Sequence, residues 1–248
     1  MTAINRAIGK SLANFLTKSI PGYRRIDTVA IADVASVLQT ADIILVEGNT
    51  RISSAIKYLT QSSWSHACLY VGTDGESSSE PNLLEADLKE GVRLVNLDHY
   101  AEFNLRICRP VGLTAEDKQQ LVNFARSKIG HQYDLRNVFD LVRYLIQKPA
   151  VPNRYRRAMI GIGSGEPTRA ICSTLIAETF QSINYPILPR HGPLGKHGEV
   201  PQYYKRHFTH FTPRDFDLSP YFTVVKPTLQ KAFDFRTMEW MEENVEQS

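Results

Sequence analysis

The sequence predicts an α+β fold, an antiparallel β-sheet or partial barrel packed against helices, and three observations lead there. Short apolar runs of period two follow one another closely from Asp42 to Pro110. After Pro110 the period becomes helical. A further helix opens at Cys172 and carries Leu175, Ile176, Thr179 and Phe180 at helical spacing.

Taken in order, residues 1–26 predict an amphipathic helical arm. Ile4, Ile8, Leu12, Phe15 and Leu16 share a face, Arg6, Lys10, Asn14 and Lys18 lie elsewhere, and Pro21-Gly22 ends the helix. Residues 27–248 read as one domain. A short helical segment precedes a strand from Asp42 to Glu47, and RISSAIKYLTQSS predicts a short helix on Ile52, Ala55, Ile56 and Leu59. SHACLYVG predicts a strand with Ala67, Leu69 and Val71 on one face and His66, Cys68 and Tyr70 on the other. The serine-rich TDGESSSEPN is a loop. NLLEADL and GVRLVNL, joined by Lys89, Glu90 and Gly91, and then NLRICRP extend an antiparallel meander. Thr114 caps the helix that follows, with Asp117 at the capping-box position and Gly130 at C′. RNVFDLVRYLIQ predicts another helix, residues 148–168 a mobile Pro, Gly and Arg-rich loop, and the tail a proline-broken stretch with one or two strands near its end.

Composition narrows the function classes. The chain has 248 residues, 42% hydrophobic, enough for a sizeable core. A net charge of +3 is too mild to imply a nucleic-acid partner. Cys68, Cys108 and Cys172 are odd in number and lack CxxC spacing, so neither a zinc cage nor a disulfide framework is expected, and reduced thiols suit a cytoplasmic protein. No cofactor is implied. Residues 1–26 lack the continuous apolar run of a secretory signal, which argues against a periplasmic cell-wall substrate. The basic arm either packs on the domain or makes peripheral contact with an anionic membrane through residues 1–20.

Cys172 draws attention because it stands at a helix threshold, beside Ser173 and Thr174, where exposure is expected. Unpaired backbone N–H groups and the positive end of the macrodipole favour a thiolate there. A cysteine nucleophile needs a base and a group that orients the base. Of seven histidines, His66 begins a strand beside a polar loop. Glu85 lies on the next strand, within reach of its ring across about 5 Å.

The order ADIILVEG, SSWSHACLYVG, LLEADLKEGV, GHQYDL and AICSTLIAETF resembles the permuted NlpC-type papain-like cysteine hydrolases and amidases of the YaeF/YiiX group, which are similar to the lecithin:retinol acyltransferase group. The likeness runs from Asp42 to Phe180, and TPRDFDLSPYF resembles a common ending of the group. Permutation places the histidine before the cysteine, as here. The resemblance implies a permuted papain-like fold with Cys172 as nucleophile, His66 as general base and Glu85 as the polar third member. Tyr133 takes the place of a site-lining tyrosine, and Ser173 and Trp64 join it as substrate-binding residues. Ala41 departs from the family's glycine before Asp42, a change that bears on a turn.

The implied activity is hydrolysis of an amide or ester in a small-molecule, peptide or lipid-linked acyl substrate through an acyl-thioester. Arg154, Arg156 and Arg157 would suit an anionic substrate. A lipid acyltransferase and an inactive binding module on the same fold are the alternatives. A metal hydrolase fits less well: His191 and His197 have no recognised ligand spacing, and His207 and His210 fall where extended structure would point them apart.

Overall fold

The computed structural model describes residues 14–26, 29–72, 82–132, 171–191, 203–230 and 234–237. The predicted helix 136–147, the loop 148–168, Tyr133, His197 and residues 1–13 lie outside these, as does the serine-rich loop except Asn82.

A six-stranded antiparallel sheet organises the domain: β1 (Ile43–Val46), β2 (His66–Gly72), β3 (Asn82–Asp87), β4 (Gly91–Asn96), β5 (Leu105–Pro110) and β8 (Phe222–Val225). Its order is β4-β3-β2-β1-β5-β8, an open sheet. The predicted meander holds from β2 to β4 but not for β5, which returns to pair with β1 through Ile44↔Ile107. Every residue of β1 is buried, and a strand buried on both faces with a neighbour on each side has no backbone group left unpaired. A 3₁₀ turn, Leu97–Tyr100, starts the return.

Helices cover the sheet as the period-two pattern requires. Ala67, Leu69 and Leu84 face α3 (Ala115–Ser127) and α4 (Ile171–Ser182), whose Leu121, Leu175 and Phe180 complete the main core. Ile44, Cys68, Leu83 and Ile107 point the other way, toward Val34 of α1 (Ile31–Val37), Leu97 and Tyr100. The remaining helices are α2 (Arg51–Thr60), α5 (Pro213–Leu218) and α6 (Pro227–Gln230). β6 (Arg190–His191) and β7 (Tyr203–Tyr204) form a separate ribbon.

Thr114 and Asp117 form the predicted capping box in both directions, with Asp117 N donating to Thr114 Oγ1 at 3.1 Å and Thr114 N to Asp117 Oδ2 at 2.9 Å. Gly130 is left-handed (φ +82°) but sits one residue beyond C′, because Lys128 is the C-cap. The turn carries Gly130 and His131 onto β4, where Gly130 N donates to Val92 O and Val92 N to His131 O. Ala41 has φ +78°, so the departure from glycine does fall on a turn. Asp42 beside it is fully buried and accepts from Arg109 and from Gln39 N.

The tail corrects one expectation. His207 caps and His210 ends a 3₁₀ helix, Phe208–His210, instead of lying on extended chain, because the His207 ring accepts from Thr209 N. α5 then starts on a Thr212–Asp215 capping box. Of the N-terminal arm, residues 14–16 are helical; Leu16 joins the main core while Phe15 lies exposed under the Arg51 guanidinium, 4.1 Å away.

Candidate active site

The site forms where β2 and β3 part. Their pairing runs through Leu69↔Leu84 and stops, while β3 stays paired with β4 down to Asp87↔Gly91. The Ala67 N–H, which would have entered the ladder, instead donates to the Cys172 thiol. Cys172 is the second residue of α4, a helix packed on both strands, and its sulfur lies against the start of β2, at His66 and Ala67.

This placement corrects the expected exposure: Cys172 is only 4% exposed. A thiol set against the start of β2 trades solvent for backbone and side-chain donors. Ser173, fully buried, keeps its Oγ 4.0 Å from the sulfur.

His66 leads β2, with its side chain 23% exposed, and Glu85 on β3 is 4% exposed at the side chain. His66 Nε2 and Glu85 Oε2 lie 2.8 Å apart. The β2–β3 register, continued past Leu69↔Leu84, sets Cys68 directly opposite Glu85 and leaves His66 on the diagonal, which long side chains bridge. Two further donors hold the carboxylate: Arg93 Nε reaches Oε1 at 2.8 Å from the facing position on β4, and the Tyr100 hydroxyl donates to Oε2.

Electrostatics follow from these contacts. Burial alone would raise Glu85, but hydrogen bonding and charge from His66, with Tyr100 and Arg93, bring its pKa down to about 2. Burial opposes a charged His66, yet the adjacent Cys68 and Cys172 thiols hold its pKa well above 6.5. Burial also opposes a Cys172 thiolate; the His66 charge and hydrogen bond, the Ala67 N–H and the Ser173 hydroxyl outweigh it, and the thiol falls below its ordinary value. Cys68 touches the same ring and moves the other way, because burial and the Glu85 carboxylate oppose its charge. Burial and the nearby Cys68 and Glu85 keep Tyr100 a neutral phenol.

The structure thus brings Cys172, His66, Glu85 and Ser173 together. Trp64 is close by in sequence but buried, with Nε1 donating to Asp217 Oδ2 at 3.1 Å and the Arg106 guanidinium 4.9 Å above its ring. Tyr133 is outside the described residues. Sequence reasoning left out Arg93, Cys68 and the role of Tyr100 as a donor to Glu85. Cys68 was legible as the residue two beyond His66 on the same strand face, and Arg93 from the three-residue turn that sets it opposite Glu85. Tyr100 had no local signal. Among the described residues, His66, Cys68 and Glu85 are the His, Cys, Asp and Glu side chains that converge in a group of three or more. No described helix is long and apolar enough to cross a membrane.

Comparison with known proteins adds three findings. No curated protein matches the chain. Among solved structures, the crystal structure of metalloprotein yiiX from Escherichia coli O157:H7 is similar, with a TM-score of 0.47 and 18% identity over 76% of this chain and 96% of that one. A family model described as permuted papain-like amidase enzyme, YaeF/YiiX, matches residues 37–144, a span that holds His66 and Glu85 and ends before Cys172. The family that the sequence resembles is therefore the one its residues 37–144 match, the permuted papain-like amidases of the YaeF/YiiX type.

Proposed function

We propose that this chain is a cysteine amidase that works through an acyl-thioester, with Cys172 as nucleophile, His66 as general base and acid, and Glu85 as the group that orients His66. The observation that carries the reading is the chain of contacts from Glu85 to the His66 ring at 2.8 Å and from that ring to the Cys172 thiol.

In this mechanism His66 takes the thiol proton. The Cys172 thiolate attacks the amide carbonyl carbon, and the backbone N–H groups at the start of α4 hold the developing oxyanion; losing one such donor would cost roughly 100-fold or more. The imidazolium then protonates the leaving nitrogen, the C–N bond breaks, and an acyl-thioester remains. Water, deprotonated by His66, attacks this thioester and releases the acid with the restored thiol. Glu85 keeps the ring oriented and stabilises its charge throughout, as the third group of a nucleophile–base triad does. An acyl acceptor other than water would make the same site a transferase.

Tyr133, Ser173 and Trp64 belong to the substrate-binding side of this proposal. The substrate is a small-molecule, peptide or lipid-linked acyl amide or ester. The basic residues of the arm support a cytoplasmic enzyme in peripheral contact with an anionic membrane.

The test is alkylation against pH, read by peptide mapping in wild type and His66→Ala. Cys172 labels fastest near neutral pH, since its thiol lies below the ordinary value while burial raises Cys68 and pushes Cys108 up to about 12. Without His66 the Cys172 profile moves to higher pH. Equal, slow labelling of all three cysteines that ignores His66 would sink the proposal and leave a binding module on this fold. A mass increase on Cys172 equal to the acyl group, seen with a slow amide or ester, completes the case.

A further inference from the structure

His66 stands at an end of the sheet that is paired on one edge only. β1 bonds to it through Val46↔His66, whereas the β2–β3 pairing stops at Leu69↔Leu84. A strand end bonded on one edge is looser than one bonded on both. A base displaced by about 1 Å from its nucleophile costs on the order of 100-fold in rate. The segment before His66 therefore needs a second hold.

That segment is residues 61–65, which join α2 to β2, and the short helix α5 grips it at both ends. At the first end Arg214 Nη1 donates to Thr60 O at 2.8 Å, where α2 stops and Gln61 turns left-handed with φ +51°. At the second, Trp64 Nε1 donates to Asp217 Oδ2 at 3.1 Å. Asp217 is held in turn by Arg106 of β5, whose Nη1 lies 2.7 and 2.8 Å from its two oxygens and whose guanidinium covers the Trp64 ring. Such charge-assisted bonds are stronger than neutral ones. Ser65, itself buried, passes the hold to β1: its N donates to Val46 O at 3.1 Å, and its Oγ accepts from Gly48 N at 2.9 Å. The turn does not need α5 to close it, because Ser62 N already caps α2 on Lys57 O. What α5 adds is where the loop sits over β1 and β5.

We propose that Asp217 and Arg214 are positioning residues for the base, and that α5 clamps the loop 61–65 so that His66 meets Glu85 and Cys172 in one geometry. Neither residue is a partner of the His66 ring or the Cys172 thiol. Both act through Thr60, Trp64 and the backbone of Ser65. The proposal rests on His66 as the base of the proposed hydrolase.

The experiment titrates the His66 ring by NMR of its Cε1 proton and measures iodoacetamide labelling of Cys172 against pH by peptide mapping, both in the full chain. In wild type the ring titrates well above 6.5, held there by the Cys68 and Cys172 thiols. Asp217→Leu, and Trp64→Phe, which keeps an aromatic ring without its N–H, bring that titration down toward 6.5. Both slow Cys172 labelling at neutral pH by about tenfold, the effect of one pH unit on the thiolate fraction. Arg214→Gln gives a smaller change in the same direction. Asp217→Asn, whose Oδ1 still accepts from the indole, keeps most of the wild-type rate. Arg206→Gln controls for stability alone: it breaks the 3.3 Å ion pair with Asp215 of the same helix, and lowers the urea midpoint with both pH profiles unchanged. Wild-type profiles in folded Asp217→Leu and Trp64→Phe overturn the proposal, and Trp64→Phe decides by itself if Asp217→Leu does not fold. If Cys172 labelling ignores His66→Ala while the ring titration still moves in Trp64→Phe, the hydrolase reading fails and the clamp stands. Labelling that depends on His66, with neither profile moved in Trp64→Phe, removes the clamp alone.

Discussion

Cys172 and Cys68 touch the same imidazole and acquire opposite acidities, and their other neighbours decide which of the two favours a thiolate. Cys172 has the Ala67 N–H and the Ser173 hydroxyl, which favour a thiolate. Cys68 has the Glu85 carboxylate across the strand gap, which opposes one. The strand histidine and the acid were legible at this scale, since an acid between Leu84 and Ala86 needed a partner. That Arg93 and Tyr100 both hold the acid was not, because their contacts depend on strand pairing and on the return turn. Two consequences can be measured. Glu85→Gln removes the charge that orients and stabilises the imidazolium, and lowers kcat by about 100-fold or more with KM little changed. Tyr100→Phe removes one hydrogen bond to a carboxylate, worth about 1.5 kcal/mol, and lowers kcat by about tenfold. If Tyr100→Phe has no effect while Glu85→Gln does, the phenol does not position the acid.

Among the elements, Gly91 shows how a turn residue serves the site indirectly. It ends the hairpin turn that sets Arg93 opposite Glu85, with φ +77°. A Cβ built there would lie 2.4 Å from His131 O, the carbonyl through which the end of α3 docks on β4. Gly91→Ala is therefore expected to destabilise the fold by at least about 1–2 kcal/mol from the left-handed backbone alone, with the steric overlap adding to it. Urea unfolding measures this, and a loss under about 0.5 kcal/mol, the usual surface range, would contradict it. The strands themselves were readable from period two, and α3 from its cap. The place of β5 was not, since sequence order suggests a meander and only the burial of β1 on both faces explains why β5 returns to it.

Across the whole molecule, the buried carboxylate links the site to acid stability. Glu85 moves from 4.5 to about 2 on folding, so its contribution is complete above the unfolded value and is lost as pH falls from about 4.5 toward 2. At 1.36 kcal/mol per pH unit this amounts to roughly 3 kcal/mol. Glu85→Gln should flatten the stability profile in that window; an equal acid slope in both proteins would show that other carboxylates dominate. The N-terminal arm gives a second measurement. Leu16 is anchored in the core, so deletion of the arm would disturb the fold, and charge reversal is the cleaner change. Arg6→Glu with Lys10→Glu is expected to reduce binding to phosphatidylserine vesicles by at least about tenfold, at about 1 kcal/mol per basic residue. Unchanged binding would remove the membrane from the proposal.

The amino-acid sequence by itself determined the α+β class, the strands that carry His66 and Glu85, the helix that carries Cys172 near its start, and the likeness to the permuted papain-like amidases. These are local periodicities and ordered short motifs, and neighbouring residues suffice to specify them. Only the tertiary structure decided that Cys172 is buried against the start of β2, that Cys68 shares its histidine, and that Arg93 and Tyr100 hold the carboxylate. Those facts depend on where β2 and β3 separate and on which residues the register brings face to face, and both are settled by packing between segments as far apart as His66 and Cys172.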